Sequence, residues 1–346
     1  MTRPAGLPLS VLDVVPVFEG GSATRALRDT VTLAPRVEEL GYHRYWVAEH
    51  HNTPSLATST PAVLAGRIAA ATSTLRVGSG GVLLPNHAPL VVAEQFGTLE
   101  AFFPGRVDLG LGRAPGTDPT TARALRRAPG GDDGFEGQLR ELSGYFAPTD
   151  PGSRVLAVPA ADSRPELWLL GSSPASAGLA AALGLPYAFA HHINPHASAA
   201  ALRHYRAAFQ PSAHLDRPYA LISVIATVAD SDQAAARAAA PYLLGKIWMR
   251  TIGAFDAFPS ADTERAHAYN QAERAFLADL AAPQVIGGVD TVRRQLAGLV
   301  EATGADELMA LTVVPNQADR LRSFELLASA AATVSPATEP GISARL

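Results

Sequence analysis

Segments of strand character alternate with segments of helical periodicity along this chain, and that alternation narrows its fold more than any other feature. Strands are predicted at Leu9–Val17, Arg44–Glu49, Leu75–Leu84, Val107–Gly112, Glu166–Gly171, Tyr187–His191, Tyr219–Val228 and Glu307–Val314, each followed by a helical segment. Units of this kind build a parallel sheet, and eight of them make a (β/α)8 TIM barrel with insertions in its βα loops. The 346 residues, 47% of them hydrophobic, can bury such a core, although two smaller domains would fit the same length. The expected organisation is one barrel over residues 1–334, an insertion at 240–283 between the seventh and eighth strands, and a flexible tail at 335–346.

The helical stripes support this reading. Leu27, Val31, Ala34, Val37 and Leu40 recur at spacings of three and four before Gly41 closes the helix, with Pro35 expected to kink it. A second helix starts at Thr60 and Pro61 and carries Val63, Leu64 and Ile68; a third follows Pro89 with Val92, Phe96, Leu99 and Phe102. All of these are expected to face the core. Two stretches break the rhythm, Arg113–Gly134 and Ala240–Pro283, and each reads either as a lid over the mouth or as an ordinary surface insertion.

Composition removes several function classes. With no cysteine, disulfides, thiolate nucleophiles and iron–sulfur clusters are excluded. A net charge of −4 without a basic stripe argues against nucleic acid. No run approaches the ~18 apolar residues of a membrane span. Met1–Pro8 has no signal-peptide pattern, so a cytoplasmic protein is expected.

Polar residues gather where the predicted strands end, which in a barrel is the catalytic mouth. Glu49-His50-His51 closes the second strand; a histidine there can act as a general base or hydrogen-bond an anionic group, or simply cap the strand. Adjacent histidines on a regular strand point to opposite sides, so His50 and His51 cannot share an ion, and no metal is expected. Gly80 and Gly81 mark a bulge, a close approach by a flat ligand, or relief of crowding. Arg113 suits a phosphate bidentately or an ordinary salt bridge. In Gly171-Ser172-Ser173-Pro174-Ala175-Ser176, Ser173 is placed as the N-cap and Pro174 as the first helical residue, a helix start that can meet an anion or need none. His191 and His192 end the sixth strand and either line the substrate side or hold the loop.

These segments together resemble the bacterial luciferase-like flavin monooxygenases. The resemblance rests on Trp46-Val47-Ala48-Glu49-His50-His51, on Gly80 to Leu90, on Ala93-Glu94-Gln95-Phe96, on Pro104 to Arg113, and on Thr303-Gly304-Ala305-Asp306-Glu307-Leu308. It implies His50 as the catalytic histidine, and a non-prolyl cis peptide at Gly80–Gly81 packed against the flavin. Phosphate contacts are implied from Arg113, Ser173 and Ser176, with Ser172 standing where bacterial luciferase has an acidic residue. Gly112 replaces that enzyme's reactive cysteine, so no thiol is needed. Glu49, His51, His191 and His192 are candidates for the substrate side.

The implied chemistry uses reduced FMN (FMNH2) and dioxygen as co-substrate, through a C4a-peroxyflavin that oxygenates a small organic molecule. The chain has no dinucleotide-binding glycine fingerprint, so a separate NAD(P)H:flavin reductase is expected to supply the FMNH2. Members of the family are commonly homodimers. Three rival readings are a deazaflavin (F420)-dependent oxidoreductase on the same fold, a non-catalytic flavin-binding accessory protein, and a metal-dependent barrel hydrolase.

Overall fold

The computed structural model describes residues 6–114, 118–126, 134–147, 155–253 and 255–336. Its strands are β1 (Leu9–Asp13), β2 (Arg44–Val47), β3 (Arg76–Leu83), β4 (Val107–Gly112), β5 (Glu166–Gly171), β6 (Tyr187–Phe189), β7 (Ala220–Val228), β8 (Val285–Gly287) and β9 (Glu307–Leu311). Every pairing between them is parallel. Strands β1 to β7 and β9 close on one another through β6–β7, β7–β9 and β9–β1, which is the eight-stranded barrel of a (β/α)8 fold. The short β8 lies outside the ring, paired only with the far end of β7 at Ala226–Val228. It went unforeseen because three residues are too few to show a period.

Several strands stop earlier than their apolar runs suggest, for local reasons. β1 ends at Asp13, not Val17: the Asp13 carboxylate accepts the Val15 N–H at 2.8 Å, and Val15 takes φ +49°, which turns the chain out of the ladder. β2 ends before Glu49 and β6 before His191, so those polar residues stand on the mouth loops.

Period-two alternation sorts the strand residues into two layers. Val11, Tyr45, Val47, Leu167 and Leu169 point outward to the helices, while Leu12, Trp46, Trp168, Leu221 and Met309 fill the barrel. Trp46 and Trp168 meet edge to face at 5.1 Å, and Trp168 meets Tyr219 at 5.8 Å. Beneath this aromatic layer is a charged one. Arg44 contacts Asp108 at 2.8 Å, Glu307 at 3.2 Å and Glu166 at 3.5 Å, and its guanidinium lies over the Trp168 ring. Asp108 also takes the Trp46 Nε1–H at 2.8 Å, while Glu307 accepts the hydroxyls of Ser10 and Tyr219.

The helical expectations hold at the caps and fail at two stripe positions. Gly41 has φ +80° after the helix Ala23–Glu39, which continues through Pro35, and Pro61 and Pro174 open their helices. Val63 and Phe102, however, are 73% and 74% exposed. The buried face of Pro61–Ala69 is Pro61, Leu64, Ala65 and Ile68, a stripe that bypasses Val63, and Phe102 ends its helix beyond the last core contact.

The predicted insertion at 240–283 begins inside the helix Asp232–Thr251; the segment after it carries the helices Ala261–Ala266 and Gln271–Ala281. That segment is pinned to the loop after β1, where the Phe258 N–H donates to Val17 O and the Glu19 N–H to Phe258 O. Of Arg113–Gly134, residues 115–117 and 127–133 lie outside the described residues, as does the predicted tail from 337 on.

Candidate active site at the barrel mouth

Because all eight barrel strands run the same way, the residues that follow them share one rim. The Glu49 carboxylate is buried there. Its Oε1 accepts from His51 Nε2 and His87 Nε2, each at 2.8 Å, and its Oε2 accepts the Leu83 N–H at 3.0 Å. Burial pushes this carboxyl up, but the hydrogen bonds from His87 and His51 and the His87 charge outweigh it, so its pKa falls below the usual value. The donor atoms of Glu49, His51 and His87 lie within 4.8 Å of one another, a spacing that could also hold a metal ion. His87 sits in the turn after β3, outside the His50–His51 pair that strand geometry keeps from sharing an ion.

His50 points elsewhere. Its N–H donates to Thr58 O at 2.7 Å, but its Nδ1 is buried without a hydrogen-bond partner. Burial and the nearby Lys246 ammonium push the ring down to about 4, against Glu49, so His50 is a neutral imidazole at neutral pH. His192 is held the same way by burial and Lys246, also at about 4, with Nδ1 2.9 Å from the Ser223 hydroxyl. His191 differs. Its two ring nitrogens are taken up by Ser198 Oγ at 3.0 Å and Pro283 O at 2.8 Å, so it fastens the mouth loop to the segment leading into β8 and offers a substrate no free nitrogen.

These two depressed histidines predict an acid sensitivity. Between the ordinary value of 6.5 and the folded value of about 4, the unfolded chain binds protons that the folded one refuses. Stability attributable to them is therefore intact above pH 6.5 and lost progressively as the pH falls toward 4. Thermal unfolding across that window should show a steeper fall for wild type than for His192→Gln; equal slopes would refute the assignment.

The glycines answer to the barrel itself. Gly80–Gly81 is a cis peptide, as the resemblance implied, at the point where the β3–β4 register shifts. A Cβ on Gly80 would lie 2.7 Å from Leu12 Cδ1, and one on Gly81 would lie 2.7 Å from Gly110 O and 3.0 Å from Leu170 Cδ2. A side chain at Gly81 would need the β4 backbone to move, whereas one at Gly80 would need only the Leu12 side chain to shift.

A cavity of about 330 Å³ opens between the ends of β4 and β5. Arg113, Ala175 and Ser176 line it together with Leu169, Leu170 and Phe135. The Arg113 side chain has no carboxylate partner among the described residues, although Glu136 borders the same space. Ser173 caps the helix Pro174–Leu183 by accepting the Ser176 N–H, and the Ser176 hydroxyl contacts Tyr187 Oη at 2.8 Å. The capping expectation is met in full. Ser172 takes part through its backbone, its carbonyl accepting from Asn194 Nδ2 at 2.9 Å.

The family model for luciferase-like monooxygenases matches residues 8–307. This chain belongs to that family. A luciferase-like monooxygenase of Escherichia coli (strain K12) is 42% identical over 321 residues, which is 92% of this chain and 96% of that protein. The uncharacterised protein YvbT of Bacillus subtilis (strain 168) is 45% identical over 92% of this chain and 95% of its own length. The crystal structure of apo-MsnO8 superposes with a TM-score of 0.84 at 39% identity, covering 94% of this chain and 98% of that one. As a luciferase-like monooxygenase the chain is an oxidoreductase, and the metal-hydrolase reading falls away. No helix among the described residues is long and apolar enough to cross a membrane.

Proposed function

We propose that this luciferase-like monooxygenase binds reduced FMN, delivered by a separate NAD(P)H:flavin reductase, and uses dioxygen to oxygenate a small organic substrate in the cytoplasm. The observation that carries the reading is the Arg113 side chain, which has no carboxylate partner among the described residues and shares one cavity with the N-terminus of the helix Pro174–Leu183. A phosphate suits that arrangement: the guanidinium supplies charge and paired donors, and the helix start supplies hydroxyls and the positive end of the dipole. Leu169, Leu170 and Phe135 give the same cavity an apolar wall for a planar ring.

Bound reduced FMN would supply the electrons that activate dioxygen. The chain's own residues bind, orient and manage protons. Arg113, Ser173 and Ser176 hold the phosphate, with Ser172 beside them. The buried Nδ1 of neutral His50 accepts or donates a single proton at the reacting face. Glu49 holds His51 by a hydrogen bond, which fixes that imidazole on the substrate side, and the Ser223 hydroxyl holds His192 after β6 on the same rim. The exposed Val63, Val91 and Phe102 lie on neighbouring helices of the barrel wall, Pro61–Ala69 and Pro89–Phe102, and support a homodimer through that wall.

Anaerobic titration with reduced FMN, followed by mixing with oxygenated buffer, tests the proposal. Stoichiometric binding and reoxidation kinetics distinct from those of free FMN are expected. Tight binding with free-flavin kinetics would favour the accessory reading, and binding of F420 in place of FMN would favour the deazaflavin one. Arg113→Ala is expected to weaken FMN binding roughly 10- to 100-fold, the value of a charge-assisted contact, with Arg113→Lys intermediate. Ser176→Ala should cost less, because its hydroxyl is already engaged by Tyr187. Unchanged affinity in Arg113→Ala would remove the phosphate assignment.

A further inference from the structure

Two imidazoles on separate mouth loops turn the same ring nitrogen toward one buried carboxylate oxygen. His51 lies two residues beyond Glu49 on the loop after β2, and His87 follows the short turn Leu84–Asn86 that leaves β3. The parallel pairing of β2 with β3 brings the two loops side by side. There His51 Nε2 and His87 Nε2 each stand 2.8 Å from Glu49 Oε1, with the ring centroids 6.5 Å apart. One donor atom from each of the three residues lies within 4.8 Å of the other two, and no second such group occurs among the described residues.

The geometry is one small step from a coordination sphere. A neutral imidazole that carries its proton on Nδ1 instead of Nε2 offers a lone pair in place of a donor, with no net loss of a proton. That change in both rings aims two nitrogens and one carboxylate oxygen at a common point. Zinc lies about 2.1 Å from such donors, which sets tetrahedral donors about 3.4 Å apart, so each hydrogen bond would lengthen by about 0.6 Å. The Glu49 side chain is wholly buried, and its other oxygen is fixed by the Leu83 N–H at 3.0 Å, the kind of outer contact that orients a ligating carboxylate. His51 and His87 keep 15% and 27% of their side-chain surface exposed, which gives an ion a way in and room for water as a fourth ligand. Two imidazoles with one carboxylate suit zinc and its transition-metal neighbours, whereas calcium and magnesium prefer oxygen alone.

We propose that Glu49, His51 and His87 form a binding site for a zinc-class divalent ion, with an open fourth position, that ties the loop after β2 to the turn after β3. The inference goes beyond the oxygenation reading and stands without the flavin. An ion bound there takes over the carboxylate that otherwise orients His51 by a hydrogen bond, so its occupancy sets the position of the residue next to His50.

The chain has no cysteine, so a cobalt spectrum of this protein carries no thiolate contribution. Untagged full-length protein freed of metal is titrated with Zn2+, and separately with Co2+ while the visible d–d bands are followed. One Zn2+ per chain is expected, together with a zinc-dependent rise in Tm and Co2+ bands of the intensity of a four- or five-coordinate ion, which Zn2+ displaces. His51→Gln and His87→Gln should each weaken Zn2+ binding by more than about 100-fold, beyond the loss typical of an outer-sphere partner, and abolish the rise in Tm. His267→Gln, which breaks a second histidine–carboxylate pair, 3.3 Å from Glu273, should bind Zn2+ as wild type does. No saturable binding by wild type, Co2+ bands of an octahedral ion alone, or Zn2+ held as tightly by both cluster variants as by wild type would overturn the proposal. The first two outcomes are read on wild type, so they hold even if a variant fails to fold.

Discussion

The His50→Ala protein is expected to bind reduced FMN within a few-fold of wild type and to oxygenate substrate roughly 100- to 10,000-fold more slowly, the span typical of a lost acid–base group. Two features support that expectation. Its Nδ1 is buried without a partner, an arrangement that leaves a polar atom waiting for something the chain does not itself supply. Its ring is held down at about 4 by burial and Lys246, so at neutral pH it is neutral and can take up a proton or release one. The effect can be read before a substrate is known, because oxygen consumed without productive transfer returns as hydrogen peroxide. Wild type should release hydrogen peroxide from bound reduced FMN slowly and His50→Ala quickly, with His50→Gln in between if the side chain's role is partly hydrogen bonding. Identical release rates in wild type and His50→Ala would show that His50 is a bystander. FMN affinity should follow Arg113 and not His50, since the two residues stand after different strands, β2 and β4.

The second large effect is on stability. Arg44→Met should destabilise the fold by about 3–5 kcal/mol, the cost of leaving buried charge unpaired. Arg44 is almost wholly buried and lies against Asp108 and Glu307, both fully buried. Burial pushes the Asp108 and Glu307 carboxyls up, but Arg44 above all, with Arg76 at Asp108 and His43 at Glu307, holds both below the usual range. Methionine keeps most of the volume over Trp168 and removes the charge, so cavity formation contributes little and the loss reports the electrostatics. Denaturant titration gives the difference directly. A change below about 1 kcal/mol would show that Arg76 alone neutralises the layer. A triple replacement of Arg44, Asp108 and Glu307 by apolar residues should recover part of the loss, because it leaves no orphan charge.

The architecture was legible because it is written in periods. Alternate strand and helix segments gave all eight barrel strands, and β4 and β5 matched residue for residue, each closing on a glycine, Gly112 or Gly171. The helix starts at Thr60-Pro61 and Ser173-Pro174 were equally readable, because a proline at the first helical position acts within one turn, and only Ser173 adds a side-chain cap. Strand ends were less so. Val14, Val15 and Val17 continue the apolar pattern of β1, and only the Asp13–Val15 hydrogen bond and the turned backbone at Val15 stop it.

Much of the candidate site was also named from the sequence, as His50, Gly80, Gly81, Arg113 and the serines before Ala177. What those residues do depends on neighbours far away along the chain. His191 and His192 are adjacent and chemically identical, yet one is fastened to Ser198 and Pro283 and the other to Ser223 on β7. His87 joins Glu49 only because β3 returns beside β2. Thus the order of hydrophobic and polar residues determined the barrel and the strand ends that carry polar groups, for periodicity and capping are local. Which of those groups is buried, paired or left free was decided by tertiary structure, because desolvation and hydrogen bonding are set by atoms that the chain brings together only when the barrel closes.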